Sequence, residues 1–172
     1  MKPIEEDKLE QLLQVIEEKP GQRIVQFADR DHSIIQSIHN LCKQYDNQYY
    51  LNCTEDNLYE ESLKRFTNQE HIRISKFILR RPRYKLQGIE YDYLIATLDF
   101  EKEDKTEFLE KCYPIIRTGG NIIIIIPNAG YPERDEWSDI LQDQYYVSVN
   151  IIDDLFEHYD VIIARRLHGW GN

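Results

Sequence analysis

Acidic side chains fall at the ends of the apolar runs in this chain, and its chemistry would lie there. Asp99 closes the run YDYLIATLD from Tyr91, Asp29 and Asp31 follow RIVQFA (Arg23–Ala28), and Glu55 and Asp56 follow QYYLNC (Gln48–Cys53). A carboxylate held at a strand end can accept a proton from an amine or hydroxyl, or hydrogen-bond a ligand's polar groups. The same acids also have a plainer use. Asp99, with Glu101, Glu103 and Asp104 behind it, suits a helix N-cap or first turn, where the helix dipole favours negative charge. Asp29 or Asp31 could cap the helix that follows them. Asn128, after a later apolar run, is a further candidate of the same kind as Asp99. A second cluster is cationic: Arg80, Arg81, Arg83 and Lys85 in RRPRYK. It could grip the phosphates of a nucleotide or RNA with Tyr84 stacking on a base, or neutralise the acidic surface of its own or a neighbouring subunit.

Other chemistries lack their residues. The five histidines (His32, His39, His71, His158 and His168) are scattered without metal-ligand spacing. No G-x-S-x-G, Walker A or Cys–His signature is present. Cys42, Cys53 and Cys112 sit in apolar contexts without C-x-x-C spacing, as small buried thiols in a reducing compartment do.

The elements that would position the acids alternate between strand and helix. Residues 3–19 carry Leu9, Leu12, Leu13 and Ile16 at helical spacing and stop at Pro20-Gly21. The run from Arg23 reads as a first strand, followed by a helix with Ile34, Ile35, Ile38, Leu41, Cys42 and Tyr45 on one face. A second strand from Gln48 precedes a helix with Leu58, Leu63 and Phe66, then a third strand over Ile72 to Leu79 and a loop from Arg80 to Gly88. After the run ending at Asp99, Phe108, Leu109, Cys112, Ile115 and Ile116 make a helical face that closes on Gly119-Gly120. Five consecutive isoleucines, Ile122 to Ile126, then suit a strand buried on both faces. A helix with Trp137, Ile140 and Leu141 leads to two last runs, Tyr145 to Ile151 and His158 to Leu167, that can pair as a hairpin.

The segment YDYLIATLD, the helix after it and YPIIRTGGNIIIIIP resemble the fourth strand, helix and fifth strand of class I S-adenosylmethionine-dependent methyltransferases. The resemblance implies an α/β fold: a three-layer, doubly wound, mostly parallel seven-stranded sheet with a C-terminal antiparallel hairpin. Residues 1–172 would form one domain, with an N-terminal helix at 3–19, a Rossmann-like core at 22–128 and a C-terminal helix and hairpin at 129–172. It also implies S-adenosylmethionine as cofactor, with Asp29 and Asp31 beside it, Glu55 or Asp56 on its ribose and Asp99 near the transfer centre. One departure stands out. The family places a glycine-rich turn after the first strand, so that the backbone can approach the cofactor. The stretch FADRDHS from Phe27 to Ser33 has no glycine, and Arg30 and His32 stand where the family keeps space. A basic loop also replaces the acid often found near the adenine. Two readings follow. The chain is a methyltransferase with a divergent cofactor loop, its acceptor a small molecule or a macromolecule, or it is a non-catalytic relative that lost the cofactor and acts as a binding or oligomeric module.

A formal net charge of −10 disfavours nucleic acid and anionic membranes as partners, except at the basic loop. No apolar run approaches the ~20 residues of a membrane helix, and the acidic, amphipathic start is unlike a secretory leader. The expectation is a cytoplasmic protein. Twelve tyrosines include the pairs Tyr49-Tyr50 and Tyr145-Tyr146, where alternation would bury one of each. An aromatic edge on the last two strands could support a homodimer, and the tail from His168 to Asn172 brings a Trp that could dock or fold back.

Overall fold

The computed structural model describes residues 2–31, 33–84 and 88–167. His32, Lys85 and the tail from His168 therefore lie outside the described residues. In chain order the elements are α1 (Glu6–Leu13), β1 (Arg23–Ala28), α2 (Ile35–Tyr45), β2 (Gln48–Cys53), α3 (Asp56–Arg65), β3 (Ile72–Lys76) and β4 (Tyr91–Thr97). They continue as α4 (Lys105–Cys112), β5 (Ile116–Pro127), α5 (Tyr131–Asp143), β6 (Tyr146–Ile152) and β7 (Tyr159–Arg166).

One seven-stranded sheet runs β3-β2-β1-β4-β5-β7-β6. The strands from β3 to β5 are parallel, and β7 is antiparallel to both β5 and β6. The isoleucine run explains why β5 lies between β4 and β7. Ile122, Ile124 and Ile126 enter one core with α4, α5 and Trp137, while Ile123 and Ile125 enter the other with α1 and α2. A strand apolar on both faces must be covered on both, and three layers result.

Several local expectations are corrected. α1 ends at Leu13 rather than Lys19, because Val15 and Ile16 bond three residues back (both 3.1 Å) and the Glu17 amide donates to the Tyr93 hydroxyl (3.1 Å). β3 stops at Lys76, where Phe77 turns into the core. Leu63 on α3 is 43% exposed, and Ser62 takes the buried position. Gly119-Gly120 does not end the helix. α4 finishes at Cys112, the chain passes through a 3₁₀ turn (Tyr113–Ile115), and both glycines lie inside β5. There the register jumps: Tyr91 faces Ile116, but Tyr93 faces Asn121. Gly119 takes φ 76° within this bulge.

The sheet also buries polar groups that alternation does not foretell. Tyr49 donates to Gln26 on the neighbouring strand, and Gln26 Nε2 donates to Thr97 Oγ1 at 2.9 Å, linking β2, β1 and β4 inside the core. Asp160 on β7 is fully buried and paired with Arg134 of α5 (Nε to Oδ2, 2.9 Å). Tyr49 and Tyr146 are buried, and Tyr145 is exposed.

Candidate functional site

The order of the sheet reverses between β1 and β4, and crevices of doubly wound sheets open at the carboxyl ends of such strands. Here the β1–β4 ladder runs one residue past β1, with the Asp29 amide donating to the Thr97 carbonyl (3.4 Å). The Asp29 carboxylate then ties the two strand ends together. Its Oδ2 accepts from the Asp99 amide at 2.8 Å, and its Oδ1 accepts from Arg30 Nε at 3.0 Å. That bond to Asp29 holds the Arg30 guanidinium above its ordinary pKa.

Asp99 organises a turn of its own. Its Oδ1 accepts from the Glu101 amide (3.1 Å), and its carbonyl accepts from the amides of Lys102 and Glu103. The cap of α4 is Asp104, whose Oδ1 accepts from the Glu107 amide at 2.9 Å. Asp99 is therefore not the helix cap. Its second oxygen has Lys102 Nζ at 3.8 Å, and its side chain is a quarter exposed (25%).

Beside this tie lies a cleft of about 570 Å³. Asp29 and Arg30 form the β1 wall, Leu98 to Glu101 the β4 wall, and Ile125 to Asn128 the β5 wall. His158 and Tyr159, entering β7, close the far side. Lys2 completes the rim, and its carbonyl accepts from the Tyr159 hydroxyl at 2.5 Å. Glu133, in the first turn of α5, adds another carboxylate. Leu98, Phe100, Ile125, Ile126 and Pro127 give the lining its apolar part, and Phe100 is held from behind by edge-on contacts with Trp137 (4.9 Å) and Phe108 (5.3 Å).

The other acids named from the sequence stand elsewhere. Asp31 accepts from the Ser33 amide and from Arg65 Nη1, both at 2.8 Å, so it braces α3 and does not line the cleft. Glu55 precedes α3 without a side-chain cap bond and is exposed, while Asp56 pairs with Lys76 at the ends of β2 and β3. Neither reaches the cleft. In the basic loop Arg80 and Arg83 are exposed, and the Arg81 guanidinium lies 4.9 Å over the Phe77 ring. Tyr84 is buried, with its hydroxyl donating to the Leu79 carbonyl (2.7 Å), so it cannot stack on a base.

Asn128 does line the cleft, held by its side-chain Nδ2, which donates to the Glu157 carbonyl at 2.6 Å. The sequence gives no sign of His158, Tyr159, Glu133 or Lys2. They reach the cleft through the antiparallel return of β7, the start of α5 and the segment before α1.

No family model matches the sequence, and no curated protein matches it. Solved structures do match in shape. An S-adenosylmethionine-dependent methyltransferase from Aquifex aeolicus superposes with TM-score 0.75 at 14% identity over 92% of this chain and 89% of its own. An S-adenosylmethionine-dependent O-methyltransferase from Thermotoga maritima gives 0.73 at 11% identity, over 100% and 69%. The phosphoethanolamine N-methyltransferase 2 of Haemonchus contortus, solved with S-adenosyl-L-methionine, gives 0.69 at 10% identity, over 94% and 52%. The fold is that of the class I methyltransferases. This chain spans only about half the length of some of these neighbours, as the last figure shows. The methyltransferase-like fold thus combines a glycine-free first loop with a cleft lying over β1, β4 and β5. No helix among the described residues is long and apolar enough to cross a membrane.

Proposed function

We propose that the protein is an S-adenosylmethionine-dependent methyltransferase whose ligands enter the cleft between the ends of β1, β4 and β5. One observation carries this reading: a cleft of about 570 Å³, within the range of small-molecule sites (about 300–1,000 Å³), at the strand-order reversal of a methyltransferase-like sheet. The residues suit the charged end of such a cofactor. Asp29, Asp99, Glu101 and Glu133 supply negative charge for an ammonium or sulfonium group. The ribose end is less well provided, since Glu55 and Asp56 stand outside the cleft.

When bound, S-adenosylmethionine would supply an electrophilic methyl group, and the chain's own residues would do the positioning. Asp29 fixes the Asp99 backbone and holds Arg30 at the rim. Asp99 offers one carboxylate oxygen to an acceptor amine or hydroxyl and takes its proton. Leu98, Phe100, Ile125 and Pro127 exclude water, and most of the rate gain comes from orientation.

A second reading keeps the fold without the cofactor. It is favoured by the glycine-free loop and by the ion pairs Asp31–Arg65 and Asp56–Lys76, which engage two of the acids named for the cofactor. Calorimetric titration with S-adenosylmethionine and S-adenosylhomocysteine separates the two. The first reading expects micromolar binding, about −8 kcal/mol, weakened at least tenfold by Asp99→Asn and little changed by Glu55→Ala. Silence at millimolar ligand, in heat and in thermal shift alike, leaves the cofactor-free module.

A further inference from the structure

The cleft makes no use of the most uneven charge on the chain. Residues 71–84 hold five Lys and Arg and no Asp or Glu, so the net −10 splits into +5 on this segment and −15 on the rest. The segment begins with β3, an edge strand of the sheet, and continues beyond it as a strap that the structure describes as far as Tyr84. Two aromatic anchors fix the strap. Phe77 and Tyr84 are buried and pack on Phe27 at 4.9 and 5.5 Å. Between the anchors, Ile78 is 60% exposed, and Arg80 and Arg83 are exposed.

Most other arginines near a carboxylate use it: Arg30, Arg65, Arg117 and Arg134 all form ion pairs. The guanidinium groups of Arg73, Arg80, Arg81 and Arg83 have no carboxylate partner among the described residues, in a chain where acids outnumber bases. Two of them rest on rings instead, Arg73 on Tyr50 (5.8 Å) and Arg81 on Phe77 (4.9 Å). A guanidinium resting on a ring keeps its fork of N–H donors, and that fork matches phosphate.

We propose that β3 and the strap bind the phosphate backbone of single-stranded nucleic acid. Arg73 on β3 and Arg80, Arg81 and Arg83 in the turn beyond its end group several cations at one edge of the sheet, which suits successive phosphates better than one isolated anion. With Tyr84 buried, the strap presents no aromatic face to a base, so the contact reads phosphates and not sequence. A flexible single strand can follow the strap alone, whereas a rigid duplex would press against an acidic body. Charged side chains also protect a sheet edge from pairing with other chains, and that use predicts no ligand.

Fluorescence anisotropy of a labelled oligouridine from about 50 to 200 mM salt tests the proposal. With four phosphates neutralised, log K falls against log salt with slope about −3, because each contact on a single strand contributes about 0.7. The double variant R80Q/R83Q lowers the slope by about 1.4 and weakens binding at least tenfold at the lowest salt. R80K/R83K keeps most of the slope, and D99N leaves it unchanged. Both altered residues are exposed, and an unchanged circular dichroism melt shows that the fold is intact. Absence of binding at low salt overturns the proposal, as does binding that survives in R80Q/R83Q. Salt-sensitive self-association in light scattering that R80Q/R83Q abolishes would also overturn it, making the occupant a second copy of the chain.

Discussion

Gly120 allows the sharpest calculation. It lies in the bulge of β5, where a Cβ would stand 2.8 Å from the Arg117 carbonyl oxygen, 2.8 Å from Ile116 Cγ2 and 3.0 Å from the Asp92 carbonyl oxygen. Two of the three obstacles are backbone, and neither moves cheaply. Asp92 is held by the Arg23 amide (2.8 Å to its Oδ2) and by Arg117 (3.1 Å to its Oδ1). The side-chain obstacle, Ile116, is fully buried. Gly120→Ala should therefore cost about 2–3 kcal/mol, the upper part of the range for overpacking. For a chain of this size that lowers the melting temperature by about 5–10 °C. Gly130→Ala is the control. Its Cβ would meet only Pro132 Cδ at 3.6 Å, an ordinary contact, and replacing Gly by Ala at an N-cap costs at most about 1 kcal/mol. Scanning calorimetry and urea titration of both variants check the reasoning. A Gly120→Ala protein that melts with the parent, or falls no further than Gly130→Ala, would refute the crowding argument.

Three further outcomes follow from buried groups. Tyr49→Phe strips Gln26 of its donor inside the core and should cost about 1–3 kcal/mol. Adding Gln26→Leu should cost less than the sum of the two single changes, a coupling that a double-mutant cycle in urea measures. Burial pushes the Cys42 thiol up to about 12 and the Cys53 thiol up to about 11, from an ordinary 9.0. Native protein at pH 8 should therefore resist thiol reagents that label it readily in urea. Both thiols keep their protons to higher pH folded than unfolded, so their stabilising contribution is complete below about pH 9 and is lost as pH rises towards 11–12. Urea midpoints measured across that window should fall with pH, beyond any fall in a C42A/C53A variant.

The sheet was legible because its strands are written in burial. Ile122 to Ile126 suit a strand buried on both faces and form one, and β2 occupies Gln48–Cys53 as read from the sequence. What failed depended on partners far along the chain. Gly119-Gly120 looks like the end of a helix, yet a register jump against β4 is what requires small residues there. α1 has helical spacing to Ile16, but the Tyr93 hydroxyl captures the Glu17 amide and helps to fix the exit from the helix. The same limit applies to the site. Asp29 and Asp99 stand out as strand-end acids, and the structure brings them together. Asp31 and Asp56 look equivalent in sequence, but Arg65 and Lys76 take them. Residue type marks an acid as a candidate; only the fold shows which acids face the cleft, as Asp29 does even though Arg30 pairs with it.

The most direct measurement is a crystal structure grown with saturating S-adenosylhomocysteine. Ligand density is expected in the cleft, with its amino group within hydrogen-bond reach of Asp29 or Asp99 and the Asp31–Arg65 pair intact. A ligand lying instead over the end of β2 against Glu55, or an empty cleft at saturating concentration, would contradict it.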